Sequence, residues 1–247
     1  MHPIAALAGM IPFHPPADAT TVTQILLRWI HFVAGITWVG LLYFFNLVNV
    51  PFMKALDAPT KSKVVPALLP RGLWFFRWGA VLTVLAGVIY WSQLATTDAH
   101  NAGANAGALF GSFFGIWTVA FALIMGMVMA MDNGRLIAAG VLVVVTGAGY
   151  LFLSVNANDW ASNRTLAIGV GGGLGWIMML NVWGIIWRFQ KKIIAWTAAN
   201  AADGTPMPPQ AAKLARRAFL ASRTNAWLSL PMLFFMAAAS HYPMFGK

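Results

Sequence analysis

Residues 109–131 read LFGSFFGIWTVAFALIMGMVMAM, and residues 136–155 read LIAAGVLVVVTGAGYLFLSV. Neither run carries a charge, and only the polar turn Asp132–Arg135 separates them. As a helix rising ~1.5 Å per residue, each run is about 30 Å long, enough to cross the hydrocarbon of a bilayer. Backbone N–H and C=O groups in lipid must be paired within the segment, so such runs are helices.

Four further apolar runs follow from the same test: 23–50, 73–94, 165–188 and 225–243. The expectation is an all-α polytopic bundle of about six spans. Residues 1–22 form an extramembrane or interfacial segment without the basic start of a signal peptide. Residues 23–247 form a single membrane domain. Two long loops interrupt it. The one near 51–72 is rich in proline and lysine and reads as a surface loop with a short helix. The one near 189–222 runs from a basic helical start, QKKIIAW, through the breaker DGTPMPP to a second basic stretch, AKLARRAFLASR.

Composition agrees. The chain has 247 residues, 60% hydrophobic and 9% charged, against about 25% charged in a soluble domain. Mean hydropathy is +0.71. The net charge of +10 comes from 16 Lys and Arg against six acids, all Asp. These cations sit between apolar spans, which points to an anionic membrane surface and away from nucleic acid. Lys54, Lys61, Lys63 and Arg71 occupy the first long loop, Arg135 the short turn, and Arg188, Lys191, Lys192, Lys213, Arg216, Arg217 and Arg223 the last loop. The remaining connections hold only Arg164. Basic loops stay in the cytoplasm, so both termini are expected outside. The Arg188–Arg223 segment is expected to lie on the anionic leaflet, its charges flanking Ile193, Ile194, Trp196 and Phe219.

There is no cysteine. Disulfides, thiolate metal sites, iron–sulfur clusters and covalent haem attachment are therefore excluded. Of five histidines, His2, His14 and His100 fall in polar segments and read as solvated. His31 and His241 fall within or at the end of apolar spans, where an ionisable group marks function or bonds to a neighbouring helix. Span direction puts both in the outer half of the bilayer. Two neutral imidazoles on facing helices can hold one haem iron from both sides, so a non-covalent haem b is expected with His31 and His241 as metal ligands. Arg28, one turn before His31, either pairs with a haem propionate or snorkels to the interface. Trp38, on the same face, either walls the ring or belongs to the core. The glycines of IGVGGGLGW (168–176), with Gly87, Gly111, Gly115, Gly147 and Gly149, either leave a slot for a flat ring or let helices pack closely. Met125, Met127, Met129 and Met131 share no helical face and read as packing.

Three stretches resemble the urate oxidase N-terminal family, the membrane domain of bacterial integral-membrane urate hydroxylases. They are LLRWIHFVAGITWVGLLYFFN (26–46), LNVWGIIWRFQKKIIAW (180–196) and RRAFLASRTNAWLSLPMLFFMAAASHYP (216–243), in matching order and spacing. The resemblance implies a membrane oxidoreductase of the bacterial inner membrane that passes electrons to an external cytochrome c or a respiratory complex. In full-length members a cytochrome c domain follows the membrane domain; without a C-x-x-C-H motif, this sequence is expected to lack it. A b-type electron-transfer protein is one expectation. Hydroxylation of urate or a related purine, with Asn181, Gln190, Arg223 and Asn225 as polar contacts, is a second. A cofactor-free channel or carrier for a small solute is the alternative.

Overall fold

The computed structural model describes residues 16–245, and among them every regular element is a helix. Helix α1, Ala19–Tyr43, runs through a π-helical segment, Phe44–Asn49, into the short α2, Val50–Ala55. After Leu56 and Asp57 comes α3, Ala58–Asn101, the longest helix at 44 residues. The hairpin read from the sequence is α4, Gly107–Ala130, and α5, Gly134–Asn156. Helix α6, Asn163–Asn181, passes through a second π-helical segment, Val182–Ile186, into α7, Trp187–Asp203. Helix α8, Ala211–Ala238, closes the bundle.

Five of these helical stretches are long and apolar enough to cross a membrane: Ala19–Ala55, Ala58–Asn101, Gly107–Ala130, Gly134–Asn156 and Asn163–Asp203. Helix α8, the expected sixth span, falls short by composition because its first half carries Arg216, Arg217, Arg223, Thr224 and Asn225. It nevertheless packs inside the bundle, burying Leu220, Ala221, Leu228 and Met232.

Helix starts are written locally. Asp18, Asp57, Asn133 and Ser162 each precede a helix, and their side chains accept N–H groups of its first turn, from Thr21, Thr60, Arg135 and Thr165. Helix α7 stops at Gly204, whose φ of +76° is the left-handed conformation that ends helices.

The segment 51–72 differs from its expectation. It is helical on both sides of Leu56 and Asp57 rather than a loop. Pro59 stands in the first turn of α3, where a missing N–H costs nothing, while Pro66 and Pro70 lie inside the helix. Proline there read as a break, but two isolated gaps in a 44-residue ladder are carried by the turns around them. In the region 189–222 the basic helical start belongs to α7 and the break falls at 204–210, while the second basic stretch, expected as part of a loop, is the helical first half of α8.

Helix α6 is the axis of the bundle, buried along most of its length. Its glycines receive aromatic rings from neighbouring helices. A Cβ on Gly173 would collide with the Trp117 indole of α4, and one on Gly169 with the Phe152 ring of α5. On the α8 side, a Cβ at Gly171 would come within 3.0 Å of Phe235 Cβ. Trp117 and Phe152 are thereby fully buried. These glycines serve helix packing. Gly111, Gly115 and Gly147 are exposed, with nothing within 4 Å of an added Cβ.

The helices alternate in direction and divide the molecule into two ends. Lys61, Lys63, Arg71, Arg135, Arg188, Lys191, Lys192, Arg216 and Arg217 lie at one, the basic end. The far end holds the start of α1, the turn between α3 and α4, the start of α6 and the C-terminal turn.

Candidate functional site

His31 lies on the one face of α1 that packs against α3. Its Nδ1 is 2.8 Å from the Thr83 carbonyl. A carbonyl oxygen only accepts, so Nδ1 carries the hydrogen, and the lone pair of the neutral ring is on Nε2. The ring rests on the bare backbone of Gly87, where an added Cβ would come within 2.8 Å of Nδ1. Here glycine is required by close approach.

His241 lies one turn beyond the end of α8 and is exposed. Its Nδ1 is 3.1 Å from the Ala237 carbonyl, which gives the same tautomer. The turn is fastened to α6 by Asn163. The Asn163 amide donates to the Ala239 and Tyr242 carbonyls at 3.1 and 2.9 Å, and its Oδ1 accepts from the Met244 and Phe245 N–H groups at 2.7 and 2.9 Å. Asp98 braces the same end, accepting the Ser162 and Thr165 hydroxyls, each at 2.6 Å.

Both histidines lie toward the far end. Tyr43 and Ser229 join α1 to α8 through a 2.9 Å hydroxyl–hydroxyl bond. His31 precedes Tyr43 by twelve residues, and His241 follows Ser229 by twelve. At ~1.5 Å per residue, His31 lies about 18 Å from that bond toward the far end, and the helical part of α8 runs about 14 Å the same way before the turn that bears His241. The Asn46–Ser222 bond lies on the other side of it, at 2.9 Å. Beyond Tyr43 toward the far end, residues 19–33 of α1 include no fully buried side chain, and Leu230, Leu233 and Phe234 of α8 are exposed.

Arg28 is exposed, its guanidinium 5.8 Å from the Tyr90 ring on α3. Trp38 is buried in the core against Gly79, with its Nε1 unpaired. His100 is exposed at the end of α3. His2 and His14 lie outside the described residues.

A metal-binding histidine characteristically donates its second ring N–H to a carbonyl or carboxylate, which fixes the ring and frees the other nitrogen. His31 and His241 both do so.

A second cluster occupies the basic end, where both π-helical segments border one pocket of about 100 Å³. Asn46, Asn49, Gln190 and Ser222 supply its polar groups, with Phe45, Phe76 and Ile186 among its apolar walls. The Asn49 Oδ1 is buried without a partner. Single π-turns recur at functional sites because they redirect side chains without ending the helix.

The four polar residues read from the sequence do not converge. Asn181 donates to Asn225 Oδ1 at 2.8 Å and to the Ala221 carbonyl at 2.9 Å, while Asn225 donates to the Met178 carbonyl at 2.9 Å. That pair braces α6 against α8. Arg223 lies over the Phe219 ring at 5.2 Å, and only Gln190 lines the pocket. Asn46, Asn49 and Arg77 were missed, although a polar residue inside FFNLVN or LWFFRWGA is costly in lipid and is itself the signal.

Comparison with known proteins adds one finding. A family model described as urate oxidase N-terminal matches residues 56–247. The match takes in α3 to α8 and the turn bearing His241, and leaves α1 with His31 outside it. No curated protein and no solved structure matches the chain.

Proposed function

The chain belongs to the urate oxidase N-terminal family, and from that premise we propose that it is a membrane-embedded b-type haem protein that passes electrons to an external acceptor. The observation that supports this most is the pair His31 and His241. Each has its Nδ1–H committed to a main-chain carbonyl, with no hydrogen-bond partner for its Nε2 among the described residues, and both lie toward the far end of the bundle.

His31 and His241 would hold the iron, and Arg28 is the cation one turn from His31 for a propionate. The haem supplies reversible one-electron chemistry when bound. The protein's own part is to fix the two rings. The Thr83 and Ala237 carbonyls set the tautomer and raise the basicity of each Nε2. Gly87 lets the His31 ring lie against α3, and Asn163 ties down the turn that carries His241. Two strong-field imidazole ligands would suit the haem to electron transfer rather than oxygen binding. The basic loops orient the molecule with its basic end in the cytoplasm of a bacterial inner membrane, both termini outside. The histidines then face a cytochrome c or respiratory-complex partner on the outer side.

A visible spectrum with a pyridine haemochrome assay on detergent-purified protein tests this reading. The expected result is a Soret band with sharp reduced α and β bands and about one haem b per chain. A colourless protein would overturn it and leave the channel or carrier.

A second reading has its own observation, the pocket between the π-segments with its unpaired Asn49 oxygen. In that reading urate or a related purine is hydroxylated with oxygen from water, releasing two electrons and two protons, the electrons going to the same external acceptor. Loss of the ultraviolet absorbance of urate with oxidised cytochrome c present is the expected result. No loss leaves electron transfer alone.

A further inference from the structure

Arg77 lies on α3, four residues past the expected inner boundary of its span at Leu73, or about 6 Å into the apolar layer at ~1.5 Å per residue. Its guanidinium carbon is 3.9 Å from the Trp187 ring centroid and 5.6 Å from that of Trp183. Trp183 Nε1 in turn donates to the Arg77 carbonyl at 3.3 Å. Two indole faces offset part of the cost of holding a cation there, but they accept none of its N–H groups in the plane of the guanidinium. The Arg77 Nε is buried and has no partner. An arginine that merely snorkels carries its whole head into water; this one does not. The flanking residues Trp74 and Trp78 are exposed, at 51% and 41%, as expected for a surface turned to lipid at headgroup depth.

A flat cation stacked on indoles, half-buried with its Nε enclosed, has its two outer amino groups to offer a tetrahedral oxyanion that accepts two parallel hydrogen bonds. We infer that Arg77, on its platform of Trp183 and Trp187, binds a phosphate group, supplied by an anionic phospholipid of the leaflet at the basic end. The site is independent of the haem reading, since it lies at the opposite end of the bundle from both histidines.

Native mass spectrometry of the detergent-purified full chain with phosphatidylglycerol or phosphatidylcholine tests the inference. The unmodified protein should retain one phosphatidylglycerol in preference to phosphatidylcholine. Arg77→Gln should lower that retention about tenfold, the loss of one charge-assisted bidentate contact. Arg77→Lys should fall between, since an ammonium keeps the charge but neither stacks nor forks. Arg164→Gln, which removes one cation at the far end, should change nothing. Millimolar inorganic phosphate separates the sources: displacement of the lipid assigns the site to a soluble phosphate, and no displacement assigns it to the headgroup. Retention by Arg77→Gln equal to that of the unmodified protein overturns the inference. If that variant does not fold, full retention by Arg77→Lys overturns it instead.

Discussion

The two ends of the bundle treat polar groups in opposite ways. At the far end nearly every polar atom near the histidines is matched within the protein: Nδ1 of His31 and His241 on carbonyls, Asn163 with four partners, Asp98 with two hydroxyls. What is left over there is a lone pair on each imidazole and one buried amide oxygen, Gln93 Oε1. At the basic end, hydrogen-bonding capacity itself is left over, at Asn49 Oδ1 and Arg77 Nε. A buried polar atom without a partner costs about 1–3 kcal/mol. Spare lone pairs on neutral nitrogen bind metal; spare donors and amide oxygens bind hydrogen-bonding or anionic groups. The family match gives the chain's kinship; this difference says which end suits which chemistry.

The largest expected effect breaks the far end alone. His31→Ala should lose most bound haem, because α1 holds that ligand within the bundle and nothing else on its face replaces it. His241→Ala, at an exposed turn, should leave a five-coordinate, high-spin haem. Absorbance spectra of both variants, beside their phosphatidylglycerol retention, check the separation of the ends. Full haem retention in both variants would end the bis-histidine reading, and loss of lipid retention with the haem would show that the ends are not independent.

A smaller effect sharpens the same end. Asn163→Ala removes the four bonds that fasten the His241 turn to α6. His241 should then sample other positions while His31 stays, giving a mixture of low-spin and high-spin haem at nearly full occupancy. Asn163→Asp keeps the acceptor for the Met244 and Phe245 N–H groups but not the donor, and should restore part of the low-spin fraction. A wholly low-spin spectrum in Asn163→Ala would show that the turn needs no fastening.

Much of this was legible from residue types alone. Apolar runs gave the helices, because lipid leaves the backbone no other pairing. Other features depend on facts a single sequence does not hold. Whether the glycines of α6 make a slot or a packing surface depends on which aromatics face them, and Trp117 and Phe152 come from helices far away in the chain. The helical course of 51–72 was hidden because proline marks a break only where the neighbouring turns cannot carry the missing bond. Asn46, Asn49 and Arg77 were legible in principle, but the π-segment 44–49 that carries the two asparagines, and the one at 182–186 that carries Trp183 beside Arg77, leave no periodicity to read.

The smallest effect tests the basic end where it meets water. Asp57 starts α3, and its carboxylate accepts bonds from Thr60, chiefly the side chain and then the main-chain N–H, which hold its pKa below the ordinary carboxylate value. A depressed pKa means that the folded state prefers the charged form. Its contribution is therefore fully present above the unfolded value of about 3.9 and is lost as the pH falls through the lower folded value. Asp18 and Asp203 are shifted in the same direction by their bonds to Thr21 and Thr205, so acid should also loosen the start of α1 and the turn after α7. Asp57→Asn keeps an acceptor for the Thr60 N–H but cannot titrate. Its thermal melting point in detergent should lie slightly below that of the unmodified protein at pH 6, and the gap should close below pH 3.5. An unchanged gap across that range would show that the start of α3 is held by packing along 58–72 rather than by its cap.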